Sequence, residues 1–113
     1  GGQQELLGAF GAVALEEAAG ERQTEFCRAL LAARPALLGH LARRVFEDAL
    51  DGREGGVRWA LEETFLDAEQ RTALFTYVDA DGPFAWTPLQ AAARMGHAGV
   101  VRALLAAGAD AGA

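Results

Sequence analysis

The stretch that most constrains this chain runs from Thr87 to Asp110. Thr87 is a good helix N-cap, and Pro88 follows at the first helical position, where a missing N–H costs nothing. A short helix follows with Leu89, Ala92 and Ala93 on its inner side. The alanines let a neighbouring helix approach closely. Gly96 lacks a Cβ and so readily takes the left-handed conformation that ends a helix. Val100, Val101, Leu104 and Leu105 then recur at the three-and-four spacing of one buried helical face. Gly108 ends that second helix in the same way. Two helices this short cannot enclose a core, so the stretch needs a neighbour.

The order of these residues resembles an ankyrin repeat. The family pattern is a T-P-L-H-x-A start, a glycine-centred turn, a second short helix and a loop beginning G-A-D. Here Thr87, Pro88, Leu89, Ala92 and Ala93 are followed by Gly96-His97, Val100-Val101, Leu104-Leu105 and Gly108-Ala109-Asp110. The resemblance covers residues 79–113. It implies a helix–turn–helix unit that stacks on others and binds proteins without catalysing a reaction. About three stacked units are usually needed for stability, so the remaining residues, or a longer parent, must supply the neighbours.

The resemblance also assigns roles. His97 matches the family's structural G-H turn. Gln90 stands where the family usually has histidine; an amide both donates and accepts, so it is able to take over that hydrogen bonding. The repeat's entry is longer than the pattern. Asp79-Ala80-Asp81-Gly82 is followed by Pro83, Phe84, Ala85 and Trp86 before Thr87. In the family this segment belongs to a projecting finger beside the binding surface. Phe84 and Trp86 are therefore candidate partner contacts, since aromatic side chains are favoured interface anchors. Gln90, Arg94 and Met95 complete the candidate surface. The plainer reading, and the favoured one, folds both rings back to seal the joint with the preceding helix. On that reading Trp86 is largely buried and Phe84 is the more exposed ring.

Upstream, apolar spacing predicts five helices and no strand. The first spans 3–19, with Leu6, Leu7, Phe10, Val13 and Ala14 on one side. The second spans 21–33, with Phe26, Cys27, Leu30 and Leu31 inward. Arg34-Pro35 breaks it, because a residue before proline is pushed out of the helical region. The third runs from Pro35 to about Leu50, on a stripe of Leu38, Leu41, Ala42, Val45 and Ala49. Asp51-Gly52 with Gly55-Gly56 reads as a loop. The fourth covers 57–66, with Val57, Leu61, Thr64 and Phe65 inward. Asp67 with Gln70 is a capping box for a fifth helix through Leu74 and Phe75 to Val78. The expected fold is all-α and solenoid-like. A helical tract, 1–78, caps a C-terminal ankyrin repeat, 79–113.

Other chemistry is weighed against this frame. A net charge of −6 leaves no broad cationic surface for phosphates, which excludes nucleic acid as the expected partner. All ten basic residues are arginine and there is no serine, so no serine nucleophile exists in this segment. Asp79-Ala80-Asp81-Gly82 lacks the ligands of a calcium loop, and Pro88 stands where that loop needs glutamate. Cys27 and His40 are the one thiol–imidazole pairing, but Cys27 lies on an apolar face, and two histidines with one cysteine fall short of a zinc site. Arg43 with Glu47 and Arg44 with Asp48 stand four apart and read as a solvated charged face. Glu16-Glu17 and Glu62-Glu63 read as surface carboxylates.

The expectations are therefore no catalytic residue, no cofactor, no metal and no membrane span. The expected partner is another protein. A lone cysteine points to a reducing, intracellular setting, cytoplasmic or nuclear. With Gly1 in place of an initiator methionine, the chain reads as a piece of a longer ankyrin-repeat protein. The competing reading is structural: a helical cap or linker for a longer array, or for a catalytic domain elsewhere in the parent.

Overall fold

The protein is seen in a computed structural model that describes residues 13–15, 17, 18, 21, 23–62, 66–78 and 85–109. Among these every regular element is helical. Residues 13–15, 17 and 18 are helical. Then come α1 (Thr24–Ala33), a 3₁₀ turn (Pro35–Leu37), α2 (Leu38–Asp51), α3 (Glu54–Glu62), α4 (Ala68–Phe75), α5 (Pro88–Arg94) and α6 (Ala98–Ala106).

Two helical hairpins stack. The α2–α3 hairpin lies on the α5–α6 hairpin, with α2 against α5 and α3 against α6. α4 packs along α2 and touches α5. Each hairpin turns on a glycine with the same left-handed backbone, Gly52 and Gly96, both at φ 78°. The hydrogen bonds at these turns are alike as well. Arg53 N–H donates to Asp48 O at 2.8 Å, and His97 N–H to Ala92 O at 2.9 Å. This is the six-to-one bond by which a C-terminal glycine satisfies a helix's last carbonyls. Gly108, at φ 110°, ends α6 with Ala109 N–H on Leu104 O at 3.0 Å. The α2–α3 pair thus sits as a preceding stacked unit, without the T-P-L start or the G-A-D loop.

α2 is the central element. It touches α3, α4 and α5, so it is covered over a wide arc rather than a single stripe. Leu41, Ala42, Val45 and Ala49 are buried, and so are Phe46 and Asp48, which the stripe omits. Phe46 meets Tyr77 with the rings tilted 57° to each other, centroids 5.9 Å apart. α1 turns differently from the expectation. Cys27 and Leu31 face inward, but Phe26 is 57% exposed. The cause is Trp59, a buried residue of α3 whose Nε1–H donates to Thr24 Oγ1 at 2.9 Å. That bond turns Thr24 inward, and Phe26, two residues on, is carried to the outside.

Two boundaries also move. Gly55 and Gly56 lie inside α3, not in a loop. Gly52 alone makes the turn, and Gly56 is needed where α3 crosses α2, because a Cβ there would fall on the Asp48 carboxylate. α4 ends at Phe75, with Val78 40% exposed beyond it. The hydroxyls of Thr72 and Thr76 bond back to Ala68 O and Thr72 O, each at 2.9 Å, which loosens the last turn. Tyr77 then leaves the helix to reach Phe46. The Asp67–Gln70 capping box is present in both directions, at 2.8 and 2.9 Å. Thr64 and Phe65, residues 1–12 and Glu16 lie outside the described residues.

Asp48 corrects the charged-face reading. Arg43 and Glu47 pair at 3.3 Å in solvent, but Asp48 is only 6% exposed. Arg44 Nε and Arg53 Nη1 each stand 3.7 Å from its Oδ1, beyond hydrogen-bond reach, and no other described group bonds that oxygen. Burial pushes the Asp48 carboxyl above its ordinary value, while the Arg44 and Arg53 guanidiniums pull the other way. A carboxyl raised by folding takes up its proton more readily in the folded state. Its stabilising contribution is complete below the ordinary carboxylate pKa and is lost as pH rises through the raised one. Urea unfolding of the natural chain and of Asp48→Asn, from about pH 3 to pH 7, should show the natural chain losing ground to the variant as pH rises. A natural chain that gains on the variant over that range would mean that the two arginines outweigh burial.

Candidate interaction surface

The repeat begins with a second capping box. Thr87 Oγ1 accepts from Gln90 N–H at 3.3 Å, and Gln90 Oε1 accepts from Thr87 N–H at 3.0 Å. Gln90 therefore serves the helix start, and Pro88 at the first helical position is buried. The T-x-x-Q spelling was available in the sequence, identical in logic to Asp67-x-x-Gln70. Leu89 is half-buried, and Ala91 and Ala92 are sealed between helices. Gly96 supplies the left-handed turn.

His97 closes the joint between the two hairpins. Its Nε2–H donates to Leu50 O at 3.0 Å, one of the last carbonyls of α2 that has no partner within its own helix. The ring packs against Gly52, so close that a Cβ at that glycine would stand 2.6 Å from Nδ1. Gly99 repeats the device on α6, where a Cβ would meet Glu54 Oε2 at 2.6 Å.

Of the candidate contacts, Trp86 and Arg94 are brought together. The Arg94 guanidinium carbon lies 5.0 Å from the centroid of the Trp86 ring, within cation–π range. Trp86 keeps part of its surface open but is mostly covered, and Arg94 is exposed. Met95 follows Arg94 at 53% exposure. Phe84 and Asp110 lie outside the described residues, as do Asp79 to Pro83.

A groove of about 530 Å³ runs beside this edge. Its floor is Leu89 and Ala93 of α5 with Val101 and Leu105 of α6, and its far wall is Thr72 and Phe75 of α4 with Thr76 just beyond the helix. Thr87 and Gln90 also line it, so it shares residues with the start of α5. Leu105 is 40% exposed along it. The groove is missed by sequence reasoning because α4 comes from outside the repeat. Periodicity places Leu89, Val101 and Leu105 on inner faces but does not say which inner positions stay uncovered.

Elsewhere the chemistry is subdued. Cys27 is fully buried, and burial pushes its thiol up to about 11, so it is not a thiolate near neutral pH. Among the described residues no three His, Cys, Asp or Glu side chains group as a metal site. Among them, too, no helix is long and apolar enough to cross a membrane.

Comparison with known proteins adds one positive finding. The family model described as ankyrin repeat matches residues 85–113. No curated protein and no solved structure matches the chain. The segment from residue 85 to residue 113 is therefore an ankyrin repeat, a unit whose general role is to bind other proteins.

Proposed function

We propose that this chain is a non-catalytic protein–protein interaction module, in which residues 1–78 cap the ankyrin repeat of residues 79–113. Partner contact falls on the edge formed by Trp86, Gln90, Arg94 and Met95, with Phe84 a further candidate on its residue type. The observation that carries this reading is the Arg94–Trp86 stack, 5.0 Å from carbon to centroid, with Met95 open beside it. The stack holds a large flat side chain in one orientation at a partly open position. Arginine and tryptophan are the residue types that most often carry binding energy. Gln90 Oε1 is engaged in the helix cap, so Gln90 contributes position more than a free acceptor.

Trp86→Ala and Met95→Asp test this. Both positions are away from the sealed core, so each variant should keep its helical circular dichroism and lose less than about 1.5 kcal/mol of stability. A partner isolated with the natural chain should bind either variant about 30-fold more weakly, the size of a hot-spot loss. A stability loss of about 3–5 kcal/mol for Trp86→Ala, the usual cost of emptying a core aromatic site, would favour the ring as a seal of the joint instead.

One observation favours the competing reading, a structural cap or linker for a longer array or a catalytic domain. The His97–Leu50 bond at 3.0 Å, with the ring laid on Gly52, ties the two hairpins into one body. A cap needs that rigidity more than a binding edge does. Binding that is insensitive to both variants would move the weight to this reading.

A further inference from the structure

We propose that Met95 is a modification site: a hydroperoxide oxidises its thioether to the sulfoxide, selectively within this chain and without disturbing the fold, and this weakens the edge to which Met95 belongs. The last clause rests on the reading of Trp86, Arg94 and Met95 as a partner-binding edge, and it names how that edge is regulated.

Cysteine and methionine carry the sulfur that hydroperoxides attack, and the chain holds one of each, Cys27 and Met95. The fold separates them. Cys27 is 0% exposed and belongs to the buried apolar cluster. Burial also pushes its thiol up to about 11, so it offers neither access nor the thiolate that attacks a peroxide. Met95 is 53% exposed. It follows the last residue of α5, just before the left-handed turn at Gly96. A thioether carries no proton to lose, so its exposure governs its reaction.

The step balances without any other reagent. The Met95 sulfur attacks one oxygen of the hydroperoxide, the O–O bond breaks and an S–O bond forms. The other oxygen leaves with the remaining proton as water or an alcohol. Sulfur loses two electrons and the peroxide gains them. The product is polar where the thioether was apolar. The fold tolerates that change here, because the bond that seats Met95 is its backbone N–H on Ala91 O at 3.1 Å, which oxidation leaves untouched. The edge does not tolerate it. Beside the Arg94–Trp86 stack, an apolar contact becomes a hydrated S–O dipole that must shed water to be covered.

The test treats the whole chain with hydrogen peroxide at about pH 7. Intact mass should show one oxygen added, at a rate within about threefold of free methionine, and peptide mapping should place it on Met95. Cys27 should still react with a thiol reagent once the chain is unfolded. The helical circular dichroism and the urea midpoint should not move. Methionine sulfoxide reductases for both epimers, with a dithiol as reductant, should remove the oxygen. Met95→Leu should take up none. A partner isolated with the natural chain should bind the oxidised chain about three- to tenfold more weakly, a smaller loss than for Met95→Asp because a sulfoxide has no charge. Reduction should restore that binding. Partner binding by Met95→Leu should be the same before and after peroxide.

Oxygen found on Cys27, a Met95 rate more than about tenfold below that of free methionine, or a lowered urea midpoint overturns the site. Unchanged partner binding after complete oxidation of Met95, with Trp86→Ala and Met95→Asp still weakening it, overturns the regulation alone. Unchanged binding in the oxidised chain and in both variants overturns the edge itself, and the regulation with it.

Discussion

Residues 79–113 on their own should show little helix by circular dichroism, while the 113-residue chain should be strongly helical and melt in one cooperative step. The repeat's helices have seven and nine residues, and isolated helices below about 12–15 residues are marginal in water. Their stability must come from burial. Ala91, Ala92, Val100 and Leu104 are all at most 1% exposed in the intact chain, and the helices that pack on α5 and α6 from the other hairpin are α2 and α3. Cutting at residue 78 removes both. It also removes Leu50, the acceptor for His97, and Glu54, which closes over Gly99. The expected effect is near-complete loss of structure. A peptide of residues 79–113 that folds cooperatively would remove the reason for calling 1–78 a cap.

What the sequence made legible was local chemistry. Asp67 with Gln70, Thr87 with Pro88, and glycine at 96 and 108 each encode a helix end within a few residues, and each end is where the spelling places it. The break at Arg34-Pro35 belongs to the same class, since its cause is steric and adjacent. What stayed hidden depended on neighbours distant in the chain. Phe26 points outward because Trp59, 33 positions further along, bonds Thr24. Asp48 is buried because α3 crosses α2 at Gly56, a contact that makes two adjacent glycines part of a helix rather than a loop. An i, i+4 arginine–carboxylate spelling is the same whether the pair is solvated, as for Arg43 and Glu47, or half-sunk, as for Arg44 and Asp48.

The proposed binding edge was legible in part for the same reason. Trp86, Arg94 and Met95 stand out by residue type and by their place in the repeat. The stacking of Trp86 on Arg94 crosses from an irregular segment to the end of a helix, where no periodic rule applies. The groove is further from view, because one of its walls is supplied by α4.

Gly52→Ala should destabilise the chain by about 2–4 kcal/mol, and roughly half of that cost should disappear when His97 is also alanine. Gly52 and Gly96 share φ 78°, so both resist a side chain on backbone grounds, by about 1–2 kcal/mol. They differ in their surroundings. A Cβ at Gly96 meets nothing within 4 Å, whereas a Cβ at Gly52 stands 2.6 Å from His97 Nδ1 and 2.7 Å from Cε1. The ring would have to lift off, giving up its 3.0 Å bond to Leu50 O, a loss of about 1 kcal/mol with the carbonyl left unpaired. Gly96→Ala therefore measures the backbone cost alone. Urea midpoints for Gly52→Ala, Gly96→Ala, His97→Ala and the Gly52→Ala/His97→Ala pair complete the cycle. The Gly52→Ala cost in the His97→Ala background should fall to that of Gly96→Ala. The same Gly52→Ala cost in both backgrounds would mean that His97 is not seated on the α2–α3 turn, and the two hairpins would then be joined by their helix faces alone.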